Sequence, residues 1–294
     1  MIDVTGLKPW GGLAGASAGA TVTVVGIPYD GSAVYRKGAA QAPDRIRSLS
    51  AVMPPVTEEG RLLAGLSVHD MGDINTGSDI ESGWMHIADR LAEIPASSIL
   101  TVIGGDHCTA VGTLAAQARR HPDLSVLWVD AHPDLCDFSR GGRWTCGCAL
   151  RRALDVSGIP PQRVVIVGGR DYDPEELEFI KTYGVTLVGA RDLALNPDAA
   201  LKAMQQKLAG SKVHVSFDID ALDPAFAPGT EIPSPGGLTT RQALEVLHGA
   251  ALVSQFVGID LVEVSPPFDN GNISSLAALK IIFEFWGLAR SGNS

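Results

Sequence analysis

Positive charge is in short supply. Against 33 Asp and Glu, the 294-residue chain carries 23 Lys and Arg, a formal net charge of −10. Nucleic acid needs a basic face, so this balance argues against such a partner and suits a small cationic substrate better. Cysteine is also sparse: Cys108, Cys136, Cys146 and Cys148 show no spacing of a secreted disulfide framework. The pair Cys146-Gly-Cys148 lacks the second pair that would complete a soft metal site, so reduced thiols are expected. No apolar window reaches the length of a membrane span. Residues 1–20, rich in Gly and Ala, lack the basic start and sustained apolar core of a signal peptide. These absences predict a soluble, cytoplasmic protein with no membrane and no nucleic-acid partner. Internal repeats of 20–50 residues are missing too.

What is present suffices for one large core, with 45% hydrophobic and 19% charged residues. Residues 1–20 read as a loose N-terminal arm and 21–294 as a single domain. Apolar runs predict strands at 21–27, 65–69, 98–103, 125–129, 163–167, 185–188, 212–217 and 256–263. Helical spacing falls between them, at 42–50, 84–92, 109–119, 148–156, 174–183, 196–208, 239–252 and 274–288. Eight strands alternating with helices predict an α/β fold with a largely parallel sheet, helices on both faces and right-handed crossovers. A closed eight-stranded barrel has the same alternation, and the pattern alone leaves that choice open.

Three of these strands end in metal-ligand chemistry. The run Leu127-Trp-Val129 continues into Asp130-Ala-His132-Pro-Asp134, which places two carboxylates and an imidazole at alternate positions as the chain leaves the sheet. The strand at 98–103 delivers His107 through Gly104-Gly105-Asp106, and the strand at 212–217 delivers Asp218 and Asp220. Any one of these residues alone reads as an ordinary turn or cap. Together they make six candidate ligands at three strand ends, too many for one ion. Carboxylate-rich donors with a minority of imidazole suit Mn²⁺, with Zn²⁺, Ni²⁺ or Co²⁺ possible. Two ions about 3.5–4 Å apart, bridged by carboxylates, would use all six and activate a bridging water.

These motifs, with Ser216-Phe-Asp218-Ile-Asp220-Ala-Leu-Asp223-Pro224 and Val262-Glu263-Val-Ser-Pro-Pro, resemble the ureohydrolase family of arginases and agmatinases over about residues 24–285. The resemblance implies an open three-layer α/β/α sandwich with an eight-stranded, largely parallel sheet. It implies two Mn²⁺ per subunit, one held by His107, Asp130, Asp134 and Asp218, the other by His132, Asp130, Asp218 and Asp220. It further implies hydrolysis of a guanidino compound to urea and an amine by a metal-bridging hydroxide. Asp134 would accept a hydrogen bond from that hydroxide, and Glu263 would be the bidentate acceptor of the guanidinium. A homo-oligomer, trimer or hexamer, is implied as well.

The stretch 135–152 resembles the agmatinase branch, whose members place an acid–base histidine where this chain has Cys146. A thiol, with a reference pKa of about 8.5 against about 6.5 for imidazole, is a poorer proton relay at neutral pH. The catalytic set is therefore Asp134, Glu263 and Cys146, with a catalytically weak metal-binding paralogue as one alternative. Arginases carry polar residues just after this motif to meet an amino-acid head. Here Leu135-Cys-Asp-Phe138 is partly apolar, which favours an agmatine-like guanidine. Arginine or a guanidino acid is the other alternative: Asp173 would then meet an amino group, and Arg140 or Arg143 an acidic tail.

Overall fold

The computed structural model describes residues 6–15 and 19–291. Its framework is set by strands that are buried along their whole length: β1 (Val22–Ile27), β3 (Ile99–Gly104), β4 (Leu124–Val129) and β5 (Val164–Val167). Uninterrupted apolar runs of this kind belong to a parallel sheet covered on both faces. With β2 (Val68–Asp73), β6 (Thr186–Val188), β7 (Lys212–Asp218) and β8 (Gln255–Val262) they form one open sheet, ordered β2-β1-β3-β8-β7-β4-β5-β6. Every neighbouring pair is parallel.

Helices α2 (Ile80–Ala92), α3 (Thr109–Arg120) and α4 (Ala149–Ser157) pack together on one face. The other face carries α1 (Ala42–Ser50), α6 (Ala190–Leu195), α7 (Pro197–Leu208), α8 (Thr240–Ala251) and α9 (Ile273–Ser291), over the largest apolar cluster. Helix α5 (Pro174–Tyr183) adds Phe179 and Ile180 to a second cluster with α4. The result is a three-layer sandwich, and its sheet does not close into a barrel.

The chain crosses from β3 to β4 over two places that β8 and β7 later fill. Ligands of open α/β sheets bind beyond the strand ends at such a reversal of order. The strand ends singled out in the sequence, β3, β8, β7 and β4, are the four adjacent strands at this point.

Four expectations need correction. The second strand lies at Val68–Asp73 and not at 65–69: Gly65 has φ 93°, outside the extended region, while the edge position tolerates Asp70 and Asp73, which pair with Arg47. Helix α6 was not expected, being a six-residue element with a single turn of apolar spacing. The N-terminal segment is not loose where it is described. Trp10 is fully buried, packs on Trp286 at 5.5 Å, and donates from Nε1 to Asp70 Oδ2 at 2.8 Å. Finally, Asn270–Arg290 is long and apolar enough to cross a membrane by composition. Most of its apolar side chains, among them Phe285 and Trp286, are buried in the largest apolar cluster, as in the core helix of a globular fold.

Candidate metal centre and substrate cleft

The base of the site is a buried polar chain. Asp260, fully buried on β8, accepts from Ser216 Oγ at 2.5 Å and pairs with His214 Nε2 at 2.8 Å. Because the Ser216 proton goes to Asp260, its oxygen accepts from His107 Nε2 at 3.0 Å. The other ring nitrogen, His107 Nδ1, then faces 2.9 Å to Asp130 Oδ2, 3.1 Å to Asp218 Oδ2 and 3.3 Å to Asp134 Oδ2. It meets hydrogen-bond geometry with none of them and is a buried polar atom without a partner. The ligand atoms of His107, Asp130 and Asp218 all lie within 4.8 Å of one another, with Asp134 beside His107, and such a donor set fits a cation between them.

A second group adjoins the first. His132 Nδ1 lies 3.3 Å from Asp220 Oδ2 and 3.4 Å from Asp130 Oδ1. Asp130 thus belongs to both groups. The surrounding backbone holds these carboxylates: the His132 N–H donates to Asp130 Oδ1 at 2.7 Å, and the Asp220 N–H to Asp218 Oδ1 at 2.7 Å. Trp128 stacks on His107 at 3.9 Å with its ring plane 4° away, and its Nε1 donates to Asp130 Oδ2 at 3.0 Å.

Charge confirms how crowded the site is. Burial and the neighbouring Asp130 push Asp134 well above the usual carboxylate range. Asp218 is raised in the same way by burial, Asp220 and Asp130. Burial pulls His107 down, but Asp130 and its neighbours outweigh that and lift it to about 9. Burial also opposes the ionised form of Asp130, yet the two imidazoles hold it below its ordinary value.

Glu263 is latched to the same place. Its N–H donates to the Gly105 carbonyl at 2.7 Å, while its Oε1 accepts from the His107 N–H at 2.8 Å. Position 105 itself must be glycine because the Tyr29 backbone packs against it: a Cβ there would sit 1.8 Å from the Tyr29 carbonyl oxygen. Glu263 Oε2 is buried without a partner. Cys146, in a short 3₁₀ turn, lies 3.0 Å from Ser32 Oγ and 3.5 Å from both Glu231 Oε2 and Glu263 Oε1. Ser32 in turn donates to Asp106 Oδ2 at 2.7 Å. Burial, with Glu263 beside it, pushes the Cys146 thiol up.

A cleft of about 330 Å³ opens over these groups, lined by eight carboxylates and one guanidinium, that of Arg140. The structure therefore brings His107, Asp130, His132, Asp134, Asp218, Asp220, Glu263 and Cys146 together. Asp173 stands at the exposed rim as the N-cap of α5, where its N–H donates to Glu176 Oε2 at 2.8 Å. Arg143, expected to meet a substrate tail, does not line the cleft: it pairs with Asp137 at 2.7 Å, and Arg140 takes the inward place. Sequence reasoning missed Glu231, Asp106 and Ser32 as site residues. Asp106 stood in plain view inside Gly-Gly-Asp-His, whereas Glu231 lies in an irregular Pro- and Gly-rich loop.

Fold and site together define an open α/β sheet whose carboxyl edge gathers His and Asp side chains able to hold a metal ion. Comparison with known proteins gives the lineage: residues 20–287 match the model of the arginase family, and the chain belongs to that family. It is 37% identical to the proclavaminate amidinohydrolase of Streptomyces clavuligerus, over 90% of this chain and 86% of that one. The solved structure of that enzyme superposes with a TM-score of 0.83, covering 93% of each chain. The human mitochondrial guanidino acid hydrolase is 34% identical over 90% of this chain and 77% of its own. An agmatine ureohydrolase of Thermoplasma volcanium superposes with a TM-score of 0.81 at 29% identity, covering 92% and 90% of the two chains.

Proposed function

We propose that the protein hydrolyses a guanidino compound to urea and an amine, that its substrate is an agmatine-like cation, and that it uses two divalent ions, Mn²⁺ in the first instance. The observation that carries this reading is the partnerless His107 Nδ1 among three carboxylate oxygens, those of Asp134 and Asp218 lining the same cleft as Glu263 with its partnerless Oε2. His107, Asp130, Asp134 and Asp218 would hold one ion, and His132, Asp130, Asp218 and Asp220 the other. When bound, such a pair supplies a water acidified enough to act as nucleophile near neutral pH.

The chain's own residues do the rest. Glu263, fixed by its latch to Gly105 and His107, offers Oε2 to the guanidinium and so orients the carbon to be attacked. Asp134, beside His107, is placed to take a proton from the attacking water at its carboxylate. Cys146 keeps its proton because burial and Glu263 raise its pKa, so it serves as a neutral wall and not as a nucleophile. The excess of carboxylates lining the cleft favours a cation.

Arg140 supports a second reading, in which a guanidino acid places its carboxylate on this exposed guanidinium at the cleft mouth. Urea release by protein reconstituted separately with Mn²⁺, Ni²⁺ and Zn²⁺ tests both, across agmatine, arginine, guanidinobutyrate, guanidinopropionate and guanidine. The proposal expects agmatine to be turned over best. Preference for a guanidino acid selects the second reading, and silence across the panel with two metals bound rejects both.

A further inference from the structure

Glu231 is a buried cleft carboxylate to which the proposed hydrolysis assigns no task. It is 2% exposed, and its Oε1 accepts from the backbone N–H groups of Val34 and Tyr35. That oxygen ties the 30–38 loop, and with it Val34, into the wall of the cleft. Its second oxygen, Oε2, lies 3.5 Å from Cys146 Sγ, whose single proton is equally within reach of Glu263 Oε1 at 3.5 Å, so the thiol can satisfy only one of the two carboxylates. One oxygen of Glu231, one of Glu263 and the Cys146 sulfur all lie within 4.8 Å of one another. Like charges this close in a buried site repel unless a cation lies between them. Arg140 is the one Lys or Arg side chain lining the cleft, and it is exposed.

We propose that Glu231 is a specificity-determining residue: with Glu263 it forms a two-carboxylate receptor, on either side of the Cys146 thiol, for the guanidinium end of the substrate. A guanidinium presents five N–H donors in a planar fork, enough to meet acceptors on two of its edges. Glu263 Oε2 and Glu231 Oε2 each serve one edge. Recognition then favours positive charge at this end, because a neutral group of the same shape donates to the two carboxylates without the ion-pair attraction. The inference deepens the guanidino reading and rests on it.

The test uses metal-loaded protein and the variant Glu231→Gln. Glutamine keeps an oxygen for the Val34 and Tyr35 N–H groups and puts a neutral NH2 donor where the charged Oε2 acceptor was. The expected result is an agmatine Kd, by calorimetry, and a KM each raised about tenfold or more, with kcat changed much less. A neutral alkylurea of matching length, whose N–H groups can also donate to Glu231 but which carries no charge, should weaken clearly less than agmatine. Equal weakening of agmatine and the alkylurea would overturn the inference and leave Glu231 a loop anchor, as would an effect seen only in Glu231→Ala. Loss of a metal equivalent in Glu231→Gln would also overturn it, by making Glu231 a ligand. If the wild type releases no urea yet binds agmatine in a Glu231-dependent way, the hydrolase reading fails and the receptor stands.

Discussion

Ser216 Oγ lies 2.5 Å from Asp260 Oδ1 beneath the site, and that hydrogen bond decides which face His107 turns to the cleft. With the serine proton committed to Asp260, the imidazole must donate from Nε2 and keep its Nδ1 lone pair for the carboxylate cluster. Ser216→Ala removes the acceptor without adding bulk. Metal affinity, measured by dialysis and elemental analysis, should fall about 10–100-fold, the range for residues that orient ligands. The circular dichroism spectrum should stay unchanged. Unaltered affinity would show that packing alone orients His107.

The stacking of Trp128 on His107 predicts an optical signal. Titration with Mn²⁺ should quench part of the tryptophan fluorescence, because the ring plane lies 3.9 Å from a proposed ligand. Trp128→Phe should lose that quenching and also weaken metal binding, since Nε1 no longer donates to Asp130. Persistent quenching in the variant would assign the signal to another tryptophan.

Replacing Cys146 by histidine should not simply improve the enzyme. The thiol sits 3.0–3.5 Å from Ser32, Glu231 and Glu263, too close for an imidazole to enter unopposed. Its imidazolium would pair with the same two carboxylates that await a guanidinium. Cys146→His is therefore expected to raise the agmatine KM about tenfold or more. Cys146→His/Glu231→Gln should raise the agmatine KM by less than the product of the two single effects, a non-additive result expected of residues in contact. A gain from Cys146→His alone would count against this arrangement.

His121 supplies a pH dependence away from the cleft. Burial, with Arg120, Lys212 and His214 nearby, lowers its pKa from 6.5 to about 4. In that window the unfolded chain binds the extra proton, so stability is full above about pH 6.5 and declines as the pH falls towards 4. The loss approaches a few kcal/mol in all. Urea midpoints measured from pH 7 to 4.5 should drop more steeply for the wild type than for His121→Asn. Parallel profiles would mean that His121 charges freely in the folded state.

Much of this architecture was legible because the central strands are buried on both faces, so that runs such as Ile99–Gly104 and Leu124–Val129 carry no alternation to confuse them. The edge strand at Val68–Asp73 was misplaced for the opposite reason: it is mostly polar, and Arg47 rather than core packing holds it. The residues that gather at the metal cluster were readable from short motifs because each follows a strand end directly. Arg140 and Arg143 could not be told apart, since the φ of 49° at Arg140 and the bridge between Ser139 and Gly142 decide which side chain turns inward. Glu231 left no pattern to read, because its position depends on the 30–38 loop, almost 200 residues away in the chain.

Asp134 and Glu263 both adopt left-handed backbone conformations, with φ of 54° and 64°. At such positions glycine or asparagine would relieve strain, of order 1 kcal/mol or more for each residue. Laboratory selection for heat tolerance alone would therefore reward changes at these two residues early. A library enriched that way would lose both carboxylates of the cleft while keeping the sheet.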